Sequence, residues 1–321
     1  MTPASQSGTA ARPVALFVLG FARSGTSALT RVLSLSGATL PARLLGATAH
    51  DPTGYWEPRA TTHINGKILR RHGSAGFDPT LRLQKEGAFD AVEKAACIAK
   101  MRAFFTTLPA APLVVIKDPK ITALSGMWFE AARQAGFDPM AVIAVRHPEE
   151  AVKSLAANGT SPEFGSALWL KYSLLAERDT RGLPRVFVEY ANLMDDWRRQ
   201  VKRISAALAI DLDNRDEGAI DEYLEPGLRR QRHCGPVTGR FGADWISEAY
   251  EALSAAARDE PWDQSALDRV FEAYRTSEEG FRTAFKDFDR LRKLYRIVPI
   301  SIVKLFLEVN AIAHRRNETW A

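Results

Sequence analysis

Four short runs that are apolar at nearly every position, rather than at every second one, constrain this chain most: VALFVL at 14–19, LVVIK at 113–117, AVIAV at 141–145 and RVFVE at 185–189. A strand with one wet face alternates polar and apolar residues, whereas a strand that is apolar throughout must be covered on both faces. Segments of helical period lie between the runs, at 26–36, 59–71, 89–108, 125–135, 149–157, 164–178 and 195–208. Continuous apolar strands alternating with helices predict a parallel sheet between two helical layers, an α/β three-layer sandwich. The last hundred residues change character, with helical patterns at 244–257, 264–286 and 300–315 and no further strand. The expected organisation is a core over 1–235 and a helical C-terminal extension over 236–321 packed on the same domain.

The first run leads into Gly20-Phe-Ala-Arg-Ser-Gly25-Thr-Ser27 and then the helical pattern ALTRVL at 28–33. This is P-loop spacing, and it makes the expected sandwich P-loop-like. A strand, a tight glycine turn and a helix start bring several free N–H groups and the positive end of a helix dipole around one phosphate. The lysine that a nucleoside-triphosphate loop carries after its second glycine is replaced by Thr26, and a cation, Arg23, lies inside the loop instead. The 113–117 run ends in Lys117-Asp118-Pro119, with no obvious unpaired acidic metal ligand. Both departures count against metal-dependent triphosphate chemistry. The alternative is an ordinary glycine turn between a strand and a helix. Charge layout favours an anionic ligand, because the first fifty residues hold Arg12, Arg23, Arg31 and Arg43 and no Asp or Glu. The net charge of +5 is interspersed with apolar residues, so no nucleic-acid partner is expected.

The third run continues as Arg146-His-Pro148, with Pro148 placed to open a helix that carries Ser154. Arg146 at the carboxyl edge of the sheet and Ser154 beside it suit a compact dianion such as a terminal phosphate. The alternative is that Arg146 pairs with Glu149 or Glu150 and Ser154 is a solvated helix residue.

Together, Phe21-Ala-Arg-Ser-Gly-Thr-Ser27 and Arg146 followed by Ser154 resemble the sulfotransferases that use 3'-phosphoadenosine 5'-phosphosulfate (PAPS), in the bacterial type closest to the carbohydrate and tyrosyl branches. The resemblance covers roughly 14–235 and is densest before 200. It implies that Arg23, Ser24, Gly25, Thr26 and Ser27 hold the 5'-phosphosulfate and that Arg146 and Ser154 hold the 3'-phosphate. Tyr190, in Val188-Glu-Tyr190, is similar to a tyrosine-containing strand end near the adenine. The implied activity is transfer of a sulfuryl group from PAPS to a hydroxyl, with 3'-phosphoadenosine 5'-phosphate as product and no metal required. Cations, helix-end N–H groups and one base suffice for such chemistry.

Lys117 is similar in position to a lysine that some carbohydrate sulfotransferases use near the transferred group. In the carbohydrate and tyrosyl branches the base is a glutamate after the first helix, whereas many small-molecule branches use a histidine. Glu57 is the only glutamate in His50-Asp-Pro-Thr-Gly-Tyr-Trp-Glu57-Pro-Arg59, and aromatic neighbours desolvate a carboxylate and make it a better base. His63, His50 and Asp51 are alternatives, and Glu57 also reads as a solvated loop residue or the start of the next helix. Arg229 or Arg230, in Arg229-Arg-Gln-Arg-His233, closes over an anionic donor or ends a solvated helix. Glu57 and Lys117 favour an acceptor that is a carbohydrate, glycolipid or similar metabolite. Two other readings stand beside this one: a metal-dependent P-loop kinase of a small molecule or nucleoside, and a non-catalytic nucleotide-binding protein associated with a membrane.

Two cysteines provide no disulfide framework, and the apolar stretch near the N-terminus is too short for a secretory signal, so a cytoplasmic location is expected. Between 300 and 313 only Ser301, Lys304, Glu308 and Asn310 interrupt an apolar segment. As a helix it measures about 21 Å, short of the ~30 Å hydrocarbon core. Arg290, Arg292, Lys293 and Arg296 precede it, and His314, Arg315 and Arg316 follow. Such a helix packs on the domain, forms a homodimer contact, or lies peripherally on an anionic membrane surface.

Overall fold

The computed structural model describes residues 11–47, 53–156, 159–213, 215–224, 237, 244–297 and 309, with the backbone alone for 280 and 283–297. The chain divides into two units, Met1–Phe271 and Glu272–Ala321. In the first, β1 (Val14–Leu19), β2 (Leu113–Lys117), β3 (Asp138–Val145) and β4 (Arg185–Glu189) form one parallel sheet in the order β2-β1-β3-β4. Val14 of the central strand pairs with Leu113 on one side and Asp138 on the other. The helices are α1 (Thr26–Leu35), α2 (Arg59–Arg71), α3 (Ala91–Phe105), α4 (Ser125–Gln134), α5 (Pro148–Ala156), α6 (Pro162–Asp179), α7 (Tyr190–Asp195), α8 (Trp197–Leu208), α9 (Glu217–Tyr223), α10 (Trp245–Ala257) and α11 (Gln264–Ile297). The fold is α/β, and all four apolar runs are strands.

Both faces of the sheet are covered, which is why the runs do not alternate. On one side Leu16, Val18, Val142 and Val188 join Leu29, Val32 and Leu33 of α1 and Val201, Ile204 and Leu208 of α8 in a single cluster. On the other, the Phe17 ring meets Phe129 of α4 edge-on at 5.3 Å, and Phe187 meets Trp262 at 5.8 Å. Leu16, Phe17 and Leu19 have no exposed surface, and each buried side chain of this kind contributes about 1.5–3 kcal/mol of transfer free energy.

Strand order fixes where a ligand can sit. From β1 the chain crosses toward β2, and from β3 it crosses toward β4, on the opposite side of the sheet. The crevice between the carboxyl ends of β1 and β3 is therefore the topological switch point, where open parallel α/β sheets bind ligands. The two phosphate-binding candidates follow these two strands.

Several local features depart from the sequence reading. Tyr190 is not part of a strand end, because β4 stops at Glu189 and Tyr190 opens α7. Helices α7 and α9 and the 3-10 turns Arg82–Gln84 and Pro119–Leu124 are too short for a 3.6-residue period to show. Helix α10 belongs to the first unit and is pinned to β4, since the Tyr250 hydroxyl donates to Glu189 Oε1 at 2.6 Å and Ser254 Oγ to Oε2 at 3.1 Å. Helix α11 runs beyond 286 to Ile297. Within the second unit its first turns carry ion pairs between Arg275 and Glu272 or Glu279, and between Arg282 and Glu278 or Glu279. The apolar segment 300–313 lies outside the described residues apart from Val309. Among the described residues no helix is long and apolar enough to cross a membrane.

One buried carboxyl gives a stability prediction. Burial pushes Asp179 up from the ordinary aspartate range, against the lowering effect of the Ser125 hydroxyl that donates to it. Between that range and the raised value the native protein holds more protons than the unfolded chain, so Asp179 costs stability as pH rises through the window. Asp179→Asn keeps an acceptor for Ser125 and removes the charge. Thermal melts should show a higher Tm than wild type at pH 8 and a smaller difference at pH 4; a loss at pH 8 would contradict this account.

Candidate active site

The loop after β1 is shaped by two close approaches. Gly20 has φ 125°, and a Cβ there would stand 2.7 Å from the carbonyl oxygen of Ala144 in β3. Its N–H donates to Thr122 Oγ1 at 3.2 Å. Gly25 has φ 83° at the N-cap of α1, and a Cβ there would stand 2.2 Å from Cδ2 of Tyr190. Only glycine combines that backbone conformation with that contact. No side chain caps α1, so its first N–H groups and the positive end of its dipole are left for an anion. Arg23 takes φ 79° with a full side chain, and Ser24 beside it is buried. Residues in this region are uncommon outside glycine and gather at functional sites.

Arg23 and Arg146 are joined in one cluster. Arg23 Nε donates to Ser154 Oγ at 3.1 Å, while Arg146 Nη1 donates to the Arg23 carbonyl at 2.9 Å. Arg146 Nε also donates to Glu150 Oε2 at 3.0 Å, and its guanidinium lies over the Tyr190 ring, 4.5 Å from the centroid. The contacts of Arg146 are therefore divided. It pairs with Glu150, and it shares a cluster with Ser154, although the serine is bonded to Arg23 rather than to Arg146.

Next to this cluster lies a buried ion pair. Lys117, 2% exposed, donates from Nζ to Glu57 Oε1 at 2.8 Å, to the Tyr55 carbonyl at 3.0 Å and to Ser27 Oγ at 3.2 Å. Glu57 is buried, neither solvated nor helical; it precedes Pro58, the N-cap of α2, and its carbonyl accepts from the Leu45 N–H at 2.8 Å. The aromatic neighbours in its own segment are only part of its surroundings. Its carboxylate faces two ammonium groups, Lys117 at 2.8 Å and Lys120 at 3.9 Å, rather than aromatic rings alone. The aromatic residue before it, Trp56, has φ 56° and lies under the Arg31 guanidinium at 4.5 Å and edge-on to Tyr223 at 6.3 Å. A cation–π contact and an edge-on ring contact therefore brace a strained backbone between Tyr55 and Glu57, both partners of Lys117.

His63 is exposed on α2, and His50, Asp51, Arg229, Arg230 and His233 lie outside the described residues. The sequence reading missed a second polar chain. Lys120 Nζ donates to Asp118 Oδ1 at 3.0 Å, Asn65 Nδ2 to Asp118 Oδ2 at 2.9 Å, and Trp128 Nε1 to Asn65 Oδ1 at 2.8 Å. Asp-Pro was its available signal: Asp118 caps the turn Pro119–Leu124 through the Lys120 N–H, with Pro119 at the first position. Among the described residues no group of three or more His, Cys, Asp or Glu side chains is placed to hold a metal ion.

No protein-family model matches the chain, and no curated protein matches it. Among solved structures, a similar chain is the sulfotransferase domain from the Synechococcus PCC 7002 olefin synthase, with 16% identity and a TM-score of 0.39 over 84% of this chain and 97% of that one.

A pair of glycine variants tests the packing of the loop. Gly136 has φ 87° with nothing within 4 Å of an added Cβ, so Gly136→Ala reports the backbone cost alone. Gly25→Ala adds the collision with Tyr190 and should lose about 1–3 kcal/mol more in urea unfolding, the usual cost of overpacking. Equal losses would mean that the Tyr190 ring moves aside freely.

Proposed function

We propose that the chain is a sulfotransferase that moves a sulfuryl group from PAPS to an acceptor hydroxyl on a carbohydrate, glycolipid or similar metabolite. The observation that carries this reading is the junction at Ser27 and Lys117. Ser27 belongs to an uncapped phosphate loop without a lysine, and its hydroxyl accepts from the ammonium that holds the Glu57 carboxylate. An anion site and a carboxylate base are thereby side by side. The kinase reading fares worse on two counts. Thr26 stands where a triphosphate loop has lysine, and the carboxylate at the end of β2, Asp118, is fully buried and bonded to Asn65 and Lys120.

The residues present fit the donor: a glycine forced by Tyr190, free helix-start N–H groups and two arginines within one cluster. When bound, PAPS supplies the sulfuryl group, whose bond to the 5'-phosphate breaks as the acceptor oxygen bonds to sulfur. Arg23, the N–H groups of Gly25, Thr26 and Ser27 and the loop hydroxyls, including that of Ser24, stabilise the charge that gathers on the leaving phosphate. Lys117 adds a cation beside Ser27 and orients Glu57 through Oε1. Glu57 takes the acceptor proton on Oε2. Arg146 and Ser154 hold the 3'-phosphate, Tyr190 lies on the adenine side, and Arg229 is a further donor-binding candidate. Binding a 3'-phosphate there competes with the Glu150 contact for the Arg146 guanidinium.

Titration with 3'-phosphoadenosine 5'-phosphate, ATP with magnesium, and 5'-AMP tests the reading. The bisphosphate should bind tightest, and Arg146→Ala should weaken it by about tenfold or more, as expected for a lost charge-assisted hydrogen bond, while leaving 5'-AMP little changed. Preference for ATP with magnesium, or an equal loss for 5'-AMP, would overturn it.

A further inference from the structure

The two oxygens of Glu57 are not equivalent. Oε1 accepts from Lys117 at 2.8 Å, whereas Oε2 has Lys120 Nζ at 3.9 Å, beyond hydrogen-bond reach, and no hydrogen bond among the described residues. Oε2 is therefore the oxygen with acceptor capacity left for a hydroxyl, and Lys120 Nζ stands beside it.

Lys120 is held from both sides. Its ammonium donates to Asp118 Oδ1 at 3.0 Å, and Asp118 is anchored by the buried relay through Asn65 to Trp128 in the core. Its stem packs on Gly76, where an added Cβ would stand 3.3 Å from Lys120 Cγ. Gly76 is itself fixed, because its carbonyl accepts from the Tyr172 hydroxyl at 2.7 Å. An ammonium carries three N–H donors, and Asp118 takes one of them. With its side chain 24% exposed, Lys120 keeps donor capacity beside Oε2.

The geometry points to Lys120 as a specificity-determining residue that donates to an oxygen adjacent to the hydroxyl served by Glu57, so that the acceptor is a vicinal diol of the kind a sugar ring presents. Neighbouring diol oxygens lie about one hydrogen-bond length apart (~2.8 Å), which matches a bridge from Oε2 to Nζ across a 3.9 Å gap. Two ammoniums, Lys117 and Lys120, face two carboxylates, Glu57 and Asp118, so the four charges cancel and the subsite favours a neutral polyol over an anionic acceptor. A simple alcohol would satisfy Glu57 and leave the Lys120 donor without its partner. Sites built to hydrogen-bond a second group discriminate strongly against ligands that lack it. This inference rests on the sulfotransferase reading.

The test uses the full chain loaded with 3'-phosphoadenosine 5'-phosphate and compares cis- and trans-1,2-cyclohexanediol with cyclohexanol by saturation-transfer NMR titration. One diol isomer should bind about tenfold tighter than cyclohexanol, the factor that one charge-assisted hydrogen bond supplies, and Lys120→Met should bring the ratio to about one. Should that variant fail to take up the bisphosphate, Lys120→Gln, a shorter neutral donor, serves in its place with a reduced ratio expected. Equal binding of diol and alcohol to the wild type, undetectable binding of both diols, or a preference that survives both substitutions overturns the proposal. Failure of the wild type to take up the bisphosphate overturns the sulfotransferase reading with it, whereas uptake without diol preference removes only this inference.

Discussion

A buried ammonium ion must find acceptors in nearly every direction, and the candidate site is organised by how Lys117 finds them. Its three partners come from two stretches of chain distant from β2: the hydroxyl of Ser27 at the start of α1, and the carbonyl of Tyr55 and the carboxylate of Glu57 in one short segment. Removing any one would leave charge or polarity stranded in a water-poor interior, so β2, the glycine loop and the 55–57 segment are obliged to keep their spacing. The ion pair is weak as a source of net stability, since desolvation offsets much of its attraction. Its value is positional: it sets a carboxylate beside the glycine loop and leaves one oxygen of that carboxylate without a hydrogen bond among the described residues.

The same neighbourhood concentrates backbone conformations that side chains avoid. Arg23, Arg43 and Trp56 all have positive φ, and the three lie in the loop after β1 or in the small antiparallel bridge between Leu44 and Pro58. Each costs free energy that a relaxed loop would not spend. A cation–π contact with Arg31 restrains Trp56, and Arg146 restrains the Arg23 carbonyl. Local strain and the contacts that oppose it converge on the residues that bear charge.

What could be read from the sequence was what depends on near neighbours. The four strands announced themselves because burial on both faces removes the polar alternation, and the glycine loop did so because its strand and helix are contiguous with it. Glu57 was legible as the one glutamate of its segment, but its true surroundings were not, since Lys117 lies sixty residues further on. Ser154 was legible as a neighbour of Arg146, but its bond to Arg23, 131 residues away, was not. The relay from Trp128 through Asn65 to Asp118 left no periodic trace, as its links span 63 and 53 residues and each member looks ordinary in its own segment. Long-range polar contacts are chosen by topology, which a local pattern cannot encode.

The central position of β1 has a consequence for how the protein is made. Its six residues, VALFVL, leave the ribosome about a hundred residues ahead of the neighbours that pair with them, which begin at Leu113 and Asp138. At translation rates of about 5–20 residues per second, the most apolar strand of the sheet waits roughly 5–20 s for its first partner. During that interval both of its edges are unpaired, the condition under which β-prone segments associate with other chains. The nascent chain thus carries an aggregation hazard in the interval between β1 and β2, and a chaperone that shields 14–19 over that interval would protect it.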